Sequence, residues 1–318
     1  MLNCFLRVAA GLSILVTGVV AAPAPPDRGM WVWETKPLLR DAGERRTFFE
    51  FCQRFGINVV AMQVATSAAG TGRQVDEAKS WAALIAEASR RGMRVHALDG
   101  DPVFTNPAQH ETALAIVDAI VAYNRSVAPA SRFFGIHLDI EPYVLPEWKN
   151  PVSRQDQLLH YLEVNSRAAE RAHAAGLVFG VDIPFWWHAP DEQTGEPVGI
   201  VTFRGVRQLT TDHLLDFVDN IGIMAYRNFA AGPDGIITHA LDTVRRAERA
   251  GRRIKAFVGV ETEKVSEGVP DKVTFAVKSP EELKKEVLAA ESALSEYKSF
   301  AGVAIHRYVA FRRMVKTP

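Results

Sequence analysis

The chain has 318 residues, 47% hydrophobic and 23% charged, with 37 Lys+Arg balanced by 37 Asp+Glu. This composition excludes a disordered chain, a collagen-like repeat and a disulfide scaffold. Zero formal net charge leaves no long-range basic field to gather nucleic acid or anionic lipid.

Residues 1–22 open with a short segment whose one charge is Arg7, continue through an apolar run from Val8 to Val20, and end at Ala21-Ala22. This is the pattern of a secretory signal peptide, and it predicts a secreted or periplasmic protein. The run is short for a membrane anchor, contains Gly11 and Gly18, and is followed by Pro23, Pro25 and Pro26. No stable membrane insertion is expected once it is removed. Cleavage would leave residues 23–318 as one folded domain with Cys52 as its only cysteine, so no internal disulfide can form.

Beyond the leader, β-rich runs alternate with helical periodicity. Strands are predicted at Met30–Glu34, Ile57–Val64, Arg94–Asp99, Phe133–Glu141, Leu177–Trp186, Asn220–Tyr226, Arg253–Glu261 and Gly302–Tyr308. Most are continuous apolar runs, as expected of parallel strands covered on both faces. Between them, Phe48, Phe49, Phe51 and Phe55 mark one helical stripe, and Trp81, Leu84, Ile85 and Ala88 a second. Leu114, Val117 and Val121 mark a third, Leu158 and Leu162 a fourth, and Leu283, Val287 and Leu294 the last long one. Gly56, Gly92, Gly176 and Gly251 stand just before strands, where a left-handed residue ends the preceding helix. Ser279-Pro280-Glu281-Glu282 reads as a helix start. Eight alternating units with no linker predict a single-domain (β/α)8 TIM barrel. The rival, a doubly wound nucleotide-binding sheet, lacks its Gly-x-Gly-x-x-Gly after the first strand.

Polar and aromatic residues collect at the predicted strand ends, where barrel enzymes place their chemistry. They include Trp33, His137, Asp139, Glu141, Asp182, Trp186, Tyr226, Arg227, Glu261 and Tyr308. On strand 4, His137, Asp139 and Glu141 are spaced by two, so they share one face at intervals of about 6.6–6.8 Å. Two neighbouring carboxylates cannot both ionise freely, so one should keep its proton to higher pH. Such a carboxyl can protonate a leaving oxygen, as glycosidic cleavage requires. The bland alternative is Asp139 bonding neighbouring strands and Glu141 paired with Arg227 or Arg307. Trp and Tyr rings at the rim suit the apolar faces of sugars.

The stretch Phe133-Phe134-Gly135-Ile136-His137-Leu138-Asp139-Ile140-Glu141 resembles the strand-4 signature Asp-x-x-Asp-x-Asp-x-Glu of family 18 glycoside hydrolases. Met224-Ala225-Tyr226 resembles that family's strand-6 Met-x-Tyr-Asp. The resemblance implies a carbohydrate substrate and no cofactor. It makes Glu141 the general acid/base, with Asp139 and Tyr226 handling a 2-acetamido group that acts as internal nucleophile. Phe134, His137 and Arg227 depart from the motifs. Glu141-Pro142 is also similar to the Asn-Glu-Pro of retaining barrel glycosidases, which would make Glu261 the nucleophile. Trp33, His137, Asp182, Trp186, Arg227 and Tyr308 are the candidate substrate contacts. Two alternatives stay open: a sugar-binding barrel without activity, and a metal-dependent hydrolase built on His96, Asp99, His137 and Asp139. No set of metal ligands with a recognised spacing is present.

Overall fold

The computed structural model describes residues 26–251 and 253–316. The predicted signal peptide lies outside the described residues. Eight parallel strands form a closed barrel. They are β1 (Asp27–Val32), β2 (Val59–Gln63), β3 (Arg94–Asp99), β4 (Gly135–Leu138), β5 (Val178–Pro184), β6 (Asn220–Met224), β7 (Lys255–Glu261) and β8 (Phe300–His306). Each pairs with the next in chain order, and β8 closes on β1 through Gly302 opposite Asp27 and Ile305 opposite Met30. The helices around it are α1 (Lys36–Arg40), α2 (Ala42–Phe55), α3 (Ala78–Arg90), α4 (His110–Ser126), α5 (Pro151–Ala174), α6 (Thr210–Leu215), α7 (Ile236–Arg249), α8 (Pro280–Leu294) and α9 (Tyr308–Met314). No described helix is long and apolar enough to cross a membrane.

The strand alternation divides the apolar side chains into two bodies. One face of each strand, such as Val181 and Ile183 of β5 or Ile221 and Ile223 of β6, packs with the helices into one large core. The other face lines the barrel, where Trp31, Leu98 and Ala304 form a small separate cluster with Trp33, Ala61 and Phe257 against it. Both faces are therefore buried, which is why the strands read as unbroken apolar runs.

The predicted punctuation is present. Gly56, Gly92, Gly176 and Gly251 all have left-handed φ, between 67° and 72°. Ser279 and Glu282 form a reciprocal capping box at the start of α8. Strand ends differ more from expectation. β4 stops at Leu138, and the backbone then enters a 3-10 turn at Pro142–Val144. β8 stops at His306 because Tyr308 already starts α9. The connection after β5 contains a 3-10 turn, Phe185–His188, and a hairpin, Ile200–Phe203 with Val206–Leu209. A second hairpin, Thr66–Ala69 with Gly72–Val75, follows β2.

Candidate active site

The site grows out of the inward face of β4. His137 is the last inward side chain of the strand, and the Asp139 N–H continues the ladder by donating to Asp99 O at 2.9 Å. Glu141 then precedes the turn that Pro142 begins. That turn carries Tyr143 back over Glu141, and the Tyr143 hydroxyl donates to Glu141 Oε1. The same hydroxyl lies 3.7 Å from Met224 Sδ on β6. Trp186 meets the Tyr143 ring edge-on at 5.4 Å and Trp148 at 6.2 Å, so an aromatic wall stands beside the carboxyl.

Asp182 of β5 forms the floor. Only 2% exposed, it accepts the Trp31 indole N–H at 2.9 Å on Oδ2. His137 Nε2 lies 2.9 Å from that oxygen but off the hydrogen-bonding direction. Asp182 Oδ1 and Asp139 Oδ1 are buried polar atoms with no partner among the described residues. Three carboxyls thus share a small, poorly solvated space. Burial pushes Asp139 well above the usual carboxylate range, and the charges of Asp182 and Glu141 push it further. Burial also raises Glu141, and Asp182 adds to the rise, while the Tyr143 hydrogen bond and His306 oppose it. Both carboxyls therefore keep their protons to higher pH than a solvated acid would.

Tyr226 follows β6, and burial raises its phenol well above the ordinary value, with Glu261, Asp139, Asp182 and Glu141 contributing. Its ring centroid lies 6.0 Å from that of His306. Glu261 ends β7 with both oxygens engaged: Oε2 lies 2.8 Å from His306 Nδ1, and Oε1 accepts the Glu263 N–H at 2.6 Å. The Trp33 indole N–H donates to His306 Nε2 at 3.2 Å. An imidazole that accepts at Nε2 must carry its proton on Nδ1, so His306 donates to Glu261. Beside this chain, a cavity of about 530 Å³ is lined by Trp33, Glu261, Glu263, Lys264, His306 and Arg307.

The barrel mouth therefore collects Asp139, Glu141, Asp182, Tyr226, Glu261, His137, Trp33 and Trp186. Two expected substrate contacts are placed otherwise. Tyr308 is 2% exposed and packs edge-on against Phe48 and Phe51 of α2, at 5.0 and 5.4 Å, because it belongs to α9. This corrects the expectation of a ring at the mouth. The Arg227 guanidinium is bonded to Asp234, 2.8 Å from Nε, and lies over the Phe185 ring at 5.1 Å. Arg307 pairs with Glu34 and Glu263. Neither arginine is the partner of Glu141, whose hydrogen bond comes from Tyr143. The sequence shows Tyr143, Trp31 and His306 as polar or aromatic residues near strand ends, but not whom they bond. The two-residue step from Glu141 to Tyr143 across a proline is the local signal that could reveal a turn folding back. Among the described residues, His96, Asp99, His137 and Asp139 do not gather as a metal-ligand cluster.

No family profile matches the sequence, and no curated protein does. Solved structures do. A chitinase from Chromobacterium violaceum aligns over 92% of this chain and 98% of its own, at 14% identity and a TM-score of 0.51. A chitinase from Bacteroides thetaiotaomicron aligns over 90% and 91%, at 12% identity and a TM-score of 0.55. A family 113 β-1,4-mannanase aligns over 90% and 89%, at 9% identity and a TM-score of 0.51. The chain thus has a glycosidase-like (β/α)8 barrel fold, similar along nearly its whole length to glycoside hydrolase barrels.

Proposed function

We propose that this chain is a divergent glycoside hydrolase, with Glu141 as general acid/base on a poly- or oligosaccharide. The observation that carries the reading is the setting of Glu141. Its carboxyl is walled by rings, raised by burial and by Asp182, and held by a neutral hydroxyl rather than by a cation. A carboxyl in this state can deliver a proton to a glycosidic oxygen and later take one from water. The glycoside hydrolase barrels to which the fold is similar support a carbohydrate partner.

For the partner group, the geometry favours Asp139 with Tyr226. In substrate-assisted cleavage the substrate's acetamido oxygen attacks the anomeric carbon as the glycosidic C–O bond breaks, and Glu141 protonates the departing oxygen. Asp139 would orient and polarise the acetamido N–H while Tyr226 donates to its carbonyl. Asp182 lies close enough to shift Asp139 electrostatically. It supplies from β5 a carboxylate of the kind the family 18 signature carries where His137 stands here. Glu261 is the less favoured nucleophile, because His306 and the Glu263 N–H already occupy both its oxygens.

The test is turnover of N-acetylglucosamine polymers, other polysaccharides and aryl glycosides by wild type and Glu141→Gln. Loss of about 10²–10⁴-fold in kcat, with sugar affinity retained, is expected. Identical background rates on every substrate would defeat the enzyme reading, and sugar binding without turnover would mark a lectin-like barrel. We also propose that residues 1–22 direct export and that the working domain is 23–318. The mass of protein recovered outside the cytoplasm tests this: retention of Met1 in exported protein would sink the cleavage.

A further inference from the structure

Two helices on the outside of the barrel bring together three side chains that the mouth chemistry leaves unused. His110 opens α4, and His160 and Glu163 lie one turn apart on α5, which packs against α4. One ligand-type atom from each lies within 4.8 Å of the other two. The two imidazole rings meet edge-on with centroids 6.0 Å apart. His160 Nδ1 lies 2.9 Å from Glu163 Oε2.

His110 supplies the independent observation. The residue is only 5% exposed, yet its Nε2 is buried without a hydrogen-bond partner among the described residues. A buried imidazole nitrogen left unpaired is costly, and it calls for a ligand. His160 and Glu163 keep 30% and 41% of their side-chain surface exposed, which opens the group to ions and to a water ligand. The nearby Arg167 is paired with Glu111, which offsets its charge.

We propose that His110, His160 and Glu163 form a transition-metal site that clamps α4 to α5, with zinc as the best fit. Two imidazoles and one carboxylate suit zinc and its neighbours, whereas magnesium and calcium take all-oxygen sets. Tetrahedral zinc at 2.0–2.2 Å from each donor needs donor atoms about 3.4 Å apart. The partly exposed side chains of His160 and Glu163 can close that gap by side-chain rotation. This site does not depend on the glycosidase reading.

The experiment is titration of chelator-treated protein with zinc alone, followed by calorimetry and thermal unfolding. One zinc per chain and a rise in Tm are expected, and cobalt should give the visible absorption of a tetrahedral site. His110→Ala and His160→Ala should each weaken zinc binding about tenfold or more and abolish the Tm rise. Glu163→Gln, at a half-exposed position, tests the same site without emptying buried space and should also weaken binding. His173→Ala, on the exposed last turn of α5, should leave binding unchanged. Absence of zinc binding by wild type, or equal affinity in the three site variants, overturns the proposal.

Discussion

The setting of Glu141 is a balance between burial and the Tyr143 hydroxyl. A hydroxyl donating to a carboxylate stabilises the charged form, so this bond works against the burial that raises Glu141. The balance leaves the carboxyl raised while holding it in one orientation. Tyr143→Phe removes the opposing influence, so the Glu141 pKa should rise. With Glu141 as the proposed acid, the alkaline limb of the kcat/KM profile should move to higher pH. A limb that moves to lower pH, or stays fixed, would show that Tyr143 does not tune this carboxyl. At the same scale His306 is a relay of orientation: Trp33 fixes its tautomer, and the remaining N–H fixes Glu261.

Among the elements, β5 and β6 make the floor possible by pairing a large acid with the smallest residue. Gly222 on β6 sits opposite Asp182 on β5. A Cβ at Gly222 would fall 1.9 Å from Asp182 Oδ1 and 3.3 Å from Trp31 Cζ2. Gly222→Ala must therefore displace the Asp182 carboxyl, disturbing its bond from the Trp31 indole. We expect a loss of about 1–3 kcal/mol in stability from overpacking. At roughly 2–4 °C per kcal/mol, Tm should fall by several degrees. The proposed activity should fall with it, because Asp182 helps set the charge state of Asp139. Thermal unfolding with parallel kinetics checks both, and an unchanged Tm would mean the floor is looser than these distances state.

At the scale of the whole molecule, the two cores divide the labour. The large outer core packs strands against helices and carries the fold, while the small inner cluster under the mouth supports the site. Cys52 lies in the outer core, fully buried on α2, and burial pushes its thiol far above the usual range. Thiolate is the reactive form. Cys52 should therefore stay silent to thiol reagents in the folded protein and react once denaturant unfolds it. The pH and denaturant dependence of labelling checks this, and fast labelling of the native protein would place Cys52 on an accessible surface.

How much of this was legible in the residues alone depends on the range of the forces involved. The barrel was legible because period and punctuation are local properties: unbroken apolar strands, helical stripes, and four glycines at helix ends. Asp139 and Glu141 were legible because neighbouring residues on one chain define one mouth. Tyr308 misled because a strand's last residue and a helix's first look alike in sequence, and only packing against Phe48 and Phe51 separates them. The partners of the site residues were beyond sequence reading. Trp31 and Asp182 are 151 residues apart, and Glu261 and His306 are 45. His110 and the His160–Glu163 pair likewise sit on two separate helices. Closing the barrel fixes such juxtapositions, and with them the loss of solvent that raises Asp139 and Glu141. Local pattern therefore determined the fold and the line of acids, while tertiary closure decided which groups touch and which hold their protons.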